Sequence, residues 1–292
     1  MANGPLGLHH PVVMADDLDA LAGRFRALGF APAPKFYHPW GTAVQHVRFP
    51  DGGIALAGID DVSLIDEAGG SGLRLGRLVA EQLGRREGIA LVALHSDDAR
   101  ADADVVAGRG VEPDGMVDFD AEVTLADGAT VAAAVSLAML IDWDHTPLSF
   151  AIRQQHRPAA VPTPAWMEHP NGAHACAEVV YAVPEPYALW QRFAGIWGEA
   201  ALADLGNGFT VATAGGDLLV LDRSSAQARF APVEMPYGWR DVPCAVAMTV
   251  RVADLNRVHM LMMQNGVPHL RMAEVVRIPP SHAGNVILDF AS

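Results

Sequence analysis

Four stretches of the chain share one pattern: an apolar run ends in small and acidic residues, and a segment of helical spacing follows and closes at a glycine. The first opens with Leu8-His9-His10-Pro11-Val12-Val13-Met14-Ala15-Asp16-Asp17 and closes at Leu28-Gly29-Phe30. The second opens with Gly88-Ile89-Ala90-Leu91-Val92-Ala93-Leu94-His95 and closes at Gly110-Val111. The third runs from Ala177-Glu178-Val179-Val180-Tyr181-Ala182-Val183 to Gly198, and the fourth from Val246-Ala247-Met248-Thr249-Val250 to Asn265-Gly266-Val267. Fourfold repetition implies a fold built by duplication, with a site enclosed between paired units.

Within the first unit, residues 8–14 read as a strand. Asp16 or Asp17 is placed to cap a helix, because its carboxylate accepts the unpaired N–H groups of the first turn. Leu18, Leu21, Phe25 and Leu28 then recur at helical spacing. Residues 41–49 and 54–59 read as antiparallel strands around the turn Pro50-Asp51-Gly52-Gly53. The unit is therefore strand, helix, then two or three strands. Residues 73–86 read as a helix leading into the second unit, which ends in two long strands over 130–141 and 149–156. The third unit ends in a hairpin, 208–212 and 217–222, and the fourth in strands over 274–278 and 285–290. Between the two halves, residues 157–171 are rich in proline, which stiffens a connection, and Trp166 is its expected anchor. The expected division is an N-terminal pair of units over 1–157, a linker over 158–173 and a C-terminal pair over 174–292.

Composition narrows the partners. The 292 residues carry a net charge of −14, from 34 acidic and 20 basic side chains. Nucleic acids and anionic membranes need clustered Lys and Arg, so neither is an expected partner. No apolar stretch reaches the roughly 18 residues of a membrane span, and the N-terminus lacks the regions of a signal peptide. Two cysteines, Cys176 and Cys244, fit a reducing, cytoplasmic location. A small-molecule substrate is the expected partner, with a homodimer a mild expectation because sheet edges can pair between subunits.

The unit resembles the βαβββ module of the vicinal oxygen chelate superfamily, in its glyoxalase-like branch. The residues that carry the resemblance are Leu8-His9-His10-Pro11-Val12-Val13 with Asp17-Leu18, then Leu28-Gly29-Phe30, Trp40-Gly41-Thr42-Ala43, Arg48-Phe49-Pro50-Asp51-Gly52 and His169-Pro170-Asn171-Gly172-Ala173. The resemblance implies an α+β fold: four βαβββ modules paired into two curved-sheet domains of the glyoxalase, bleomycin-resistance and dioxygenase type. It also implies a cavity in which first and last strands supply ligands to a divalent metal, which would act as a Lewis acid.

His10 stands at the first-strand ligand position that the resemblance implies. The matching last-strand carboxylate would fall in Ile54-Ala55-Leu56-Ala57, which has none, and the second module offers Leu91. On the last strand of that module, residues 150, 152, 154 and 156 share a face, so Gln154 and His156 are candidates to join His10 and His46 around Fe, Mn, Zn or Ni. The alternative for His156 is a hydrogen-bonded residue at the start of the linker. His46 and Arg48 share a strand face and would be a ligand or base and an anion clamp if that face lines the cavity. Tyr37, His38 and Trp40 could form its mouth, and Arg153 could bind a substrate carboxylate. In the C-terminal pair, Glu178, Asp289 and His282 lie near ligand positions, without the two histidines that an extradiol dioxygenase site there would need beside one glutamate.

The leading expectation is a metal-dependent enzyme acting on a small oxygen-rich organic molecule by lyase, isomerase, hydrolase or dioxygenase-type chemistry. The alternative, favoured by the missing carboxylate, is a metal-free binding or sequestration protein of the same superfamily.

Overall fold

The computed structural model describes residues 6–67, 72–124, 130–156 and 166–292. The chain start and most of the proline-rich connection lie outside the described residues. Two eight-stranded mixed sheets form the architecture, with helices packed around them.

The first sheet is built from two modules. The first contributes β1 (Gly7–Met14), α1 (Leu18–Ala27), β2 (Phe36–Tyr37), β3 (Thr42–Phe49) and β4 (Gly52–Ile59). Asp17 caps α1 as expected: its carboxylate accepts the Ala20 N–H at 2.9 Å. Gly29 turns the chain out of the helix at φ 81°. After α2 (Leu75–Leu83), the second module contributes β5 (Gly88–Ser96), α3 (Ala99–Gly108), β6 (Gly115–Thr124), β7 (Thr130–Leu140) and β8 (Ser149–Gln155). The strand order is β2-β3-β4-β1-β5-β8-β7-β6. β1 and β5 join the modules antiparallel, while β1–β4 and β5–β8 run parallel.

The second sheet repeats the plan with β9 (Ala173–Val183), α4 (Trp190–Trp197), β10 (Leu202–Asp204), β11 (Gly208–Thr213) and β12 (Gly216–Asp222). α5 (Arg223–Phe230) then leads to β13 (Cys244–Val252), α6 (Leu255–Gln264), β14 (Leu270–Arg271), β15 (Val275–Ile278) and β16 (Ile287–Ala291). Its order, β10-β11-β12-β9-β13-β16-β15-β14, mirrors the first.

Alternation along the strands sends one set of side chains to a continuous core between the halves and the other to each concave face. The shared core takes Val13, Ile54, Phe150 and Ile152 from the first sheet, Val179, Tyr181 and Phe290 from the second, and Leu21, Phe25, Phe193 and Met262 from the helices. The junction is tied down by Asn171, whose amide donates to the Leu28 carbonyl at 2.9 Å and accepts the Ala173 N–H at 3.0 Å.

The two concave faces differ because of the segment inserted between modules. In the N-terminal half, α2 lies across the mouth and leaves a hollow. In the C-terminal half, α5 and the chain after it drive Phe230 and Trp239 onto Val180, Ala182 and Ile287 and fill the space. α5 had no expected counterpart in the sequence reading.

Candidate active cavity

The hollow of the N-terminal half encloses about 220 Å³. Register fixes what faces it. From β3 come Thr42, Val44, His46 and Arg48, from β1 His10, Val12 and Met14, and from β8 Ser149, Ala151, Arg153 and Gln155. The mouth is aromatic. His38 stacks on Trp40 with centroids 4.6 Å apart, and Phe119 of β6 meets both rings edge-on at 5.6 and 5.3 Å. These contacts join the turn after β2 to β6, at opposite edges of the curled sheet.

Most of the expected site residues converge here. His10 and His46 face each other with centroids 5.6 Å apart and planes at 90°. Burial holds both imidazoles well below the usual histidine range, reinforced at His10 by His46 and at His46 by Arg48. His38 is brought down to about 4 by burial. His9, beside His10, brings its Nδ1 to 2.5 Å from the Nδ1 of its neighbour, within hydrogen-bond distance.

Arg48 is held at the cavity by its surroundings. Its guanidinium lies 5.7 Å from the centre of the Trp166 ring. Its carbonyl accepts from Nε2 of His169, whose Nδ1 in turn accepts the Ala31 N–H, which fixes that tautomer. Arg153 donates to Gln155 Oε1. Burial lowers both guanidinium pKa values. For Arg153, burial and the neighbouring Arg48 charge together bring it down to about 10. Among the described residues, Asp and Glu are absent from the lining.

Three expected residues are not in the cavity. Tyr37 is exposed. Gln154 and His156 stand on the opposite face of β8. Gln154 accepts the Ala99 N–H and donates to the Asp97 carbonyl, while His156 lies 2.7 Å from Ser136 Oγ. The expected face was one residue out of register, since Phe150 and Ile152 go to the shared core and carry 154 and 156 with them. Ser136 in turn donates to Asp118. This serine, histidine and aspartate do not form a triad, because the carboxylate binds the serine rather than orienting the imidazole. Sequence reasoning did not place His9, Gln82, Phe119, Gln155 or Trp166 at the site. The last four line it only through α2, β6, strand parity and the return of the connection.

A model of the glyoxalase-like domain matches residues 8–197. The chain belongs to the glyoxalase-like domain family. Among solved structures, a hypothetical protein from Staphylococcus aureus is 12% identical and aligns over 98% of each chain with a TM-score of 0.64. A mutant 4-hydroxymandelate synthase from Streptomyces coelicolor is 12% identical over 98% of this chain and 92% of that one, with a TM-score of 0.58. The Mn(II)-bound glyoxalase from Novosphingobium aromaticivorans is 14% identical over 98% and 81%, with a TM-score of 0.52. At such identities the likeness shows the vicinal oxygen chelate fold. No curated protein sequence matches the chain.

This glyoxalase-like chain does not offer the donor set that the fold family implies for a metal. Around His10, the inward positions on β4, β5 and β8 are Ala55, Ala93, Ala151 and Arg153. Alanine supplies no donor, and a guanidinium repels a cation. Among the described residues, no group of three His, Cys, Asp or Glu side chains is placed to hold a metal ion. The C-terminal half has carboxylates at comparable positions, but each is matched by an arginine. Glu178 lies 2.6 Å from Arg229, and Asp289 takes a two-pronged pair from Arg277 at 2.8 and 2.7 Å. His282 bonds to Ser281 instead of joining them. Among the described residues, no helix is long and apolar enough to cross a membrane.

Proposed function

We infer that the N-terminal half, residues 1–157, binds a small oxygen-rich organic molecule in its cavity and works on it with side chains rather than a protein-held metal. The observation that carries this reading is Arg153, a guanidinium standing among alanines where metal-dependent members of the superfamily need donors. The chemistry supported is proton transfer. His10 and His46 are neutral at pH 7, so either ring is able to accept a proton from a bound molecule, and His9 adjoins His10 as a further carrier. Negative charge developing on the molecule would meet Arg48 and Arg153 in a medium of low dielectric. Isomerase and lyase reactions that begin with proton removal fit these groups; sequestration without turnover uses the same contacts.

The metal-dependent reading is favoured by one observation, the facing imidazoles of His10 and His46. They supply two donors where zinc-type sites use three or four. Metal analysis of protein purified without chelator or affinity histidines tests the choice. Substoichiometric metal after reconstitution with Fe, Mn, Zn and Ni is expected. Stoichiometric metal lost in both His10→Ala and His46→Ala would overturn it.

A further inference from the structure

The cavity is graded along its length. β3 lays Thr42, Val44, His46 and Arg48 inward at successive two-residue steps of about 6.6 Å. On β8 the same steps run from Ser149 through Ala151 to Arg153 and Gln155. Both arginines therefore sit at one end, level with Trp166. Toward the other end the walls are Val44, Met14 and Ala57 with Leu75 and Val79 of α2.

Two features of this arrangement call for a ligand. First, two guanidiniums face a small apolar chamber whose lining has no carboxylate among the described residues. Arg48 Nε is buried without a hydrogen-bond partner, and a buried donor left unmet destabilises the fold. On the matching face of the C-terminal half, two inward arginines are neutralised: Arg229 has Glu178 and Arg277 has Asp289. Second, Gln82 on α2 spends its Oε1 on Thr146 at 3.1 Å while its buried Nε2 has no partner. Thr146 lies three residues before β8, so this second orphan donor lies at the end remote from Arg153.

We propose that the ligand is an amphipathic organic anion, with its anionic head held between Arg48 and Arg153 and its apolar body lying along Val44 and Met14 toward α2. A planar guanidinium pair matches the oxygens of a carboxylate or of a phosphonate. The volume, about 220 Å³, suits a molecule with one ring or a short chain. Gln82 Nε2 offers a hydrogen bond to a second oxygen at the far end. The proposal rests on the small-molecule reading above but not on the presence or absence of metal.

Three probes of nearly equal shape test it by calorimetry or ligand-observed NMR on the whole chain: phenylacetate, benzylphosphonate and neutral phenylacetamide. At least one anion is expected to bind tenfold or more tightly than the amide, and Arg48→Gln and Arg153→Gln are each expected to remove that preference. Tighter binding by the carboxylate or by the phosphonate identifies the head group. An amide that binds as well as both anions would overturn the proposal while leaving the cavity a small-molecule site. Failure of all three probes to bind folded wild-type protein would also overturn it. Circular dichroism checks that the variants are folded, and retained amide binding in both would confirm an intact cavity.

Discussion

Arg153→Met should make the ligand-free protein more stable. A guanidinium whose pKa falls from 12.5 to about 10 is disfavoured in its charged form by about 3 kcal/mol. The causes are burial first and the Arg48 charge second. Methionine keeps most of the stem and removes the charge. Its cost is the hydrogen bond to Gln155, about 1 kcal/mol, and Gln155 is partly open to water. The net gain should be about 2 kcal/mol, within the range seen when buried charges give way to apolar groups. At about 2–4 °C per kcal/mol the midpoint should rise by roughly 4–8 °C. The sign also fixes the pH behaviour. A base with a lowered folded pKa destabilises the fold while it is protonated, and the penalty fades only as pH rises through about 10. The gain should therefore be flat from pH 6 to 9. Urea unfolding of both proteins across that range, with thermal melts alongside, is the assay. A variant less stable than wild type by 1 kcal/mol or more would refute the claim that the charge is uncompensated.

Acid should unfold the protein through its cavity histidines. His10, His38 and His46 have folded pKa values below 6.5, so below that pH the unfolded chain binds more protons and stability falls, by about 1 kcal/mol per histidine at pH 5.5. His38→Gln should remove that histidine's share, about 1 kcal/mol, of the stability lost between pH 7.5 and 5.5 in urea titrations; an unchanged loss would discount burial as the cause. Asp289→Asn, which leaves Arg277 buried beside a neutral group, should cost about 3–5 kcal/mol while leaving probe binding in the N-terminal cavity intact. Loss of probe binding in a folded variant would show that the two halves are coupled. Cys176, pushed up to about 12 by burial, and Cys244, also raised, should be silent to a thiol reagent in native protein and both react in denaturant. A fast native reaction would refute this.

Much of the fold was written in local pattern. β1, α1, β3, β4 and their counterparts follow from apolar runs, the Asp17 cap and the Gly29 stop, each decided within about ten residues. The family resemblance rested on the order of such elements, and the missing carboxylate near Ala55 was legible without any structure. His10, His46, Arg48 and Arg153 were readable as candidates because polar residues interrupt apolar strands. The direction of β8 side chains was not. That strand is apolar or buried on both faces at its start, so alternation carries no label for inside and outside. Gln154 and His156 looked like ligands, and Arg153 and Gln155 reached the cavity instead.

The sequence by itself determined a duplicated α+β chain, its strand and helix segments, and a set of polar residues without the carboxylate a metal centre would need. Only the tertiary structure decided that Arg48 and Arg153 share a chamber with two neutral histidines, and that Phe230 and Trp239 fill the other half. The reason is physical. A strand's existence depends on its own residues, whereas which face meets solvent, core or cavity depends on what packs against it. Here that packing comes from α2, α5 and the opposite half, which are distant in sequence and joined only by folding.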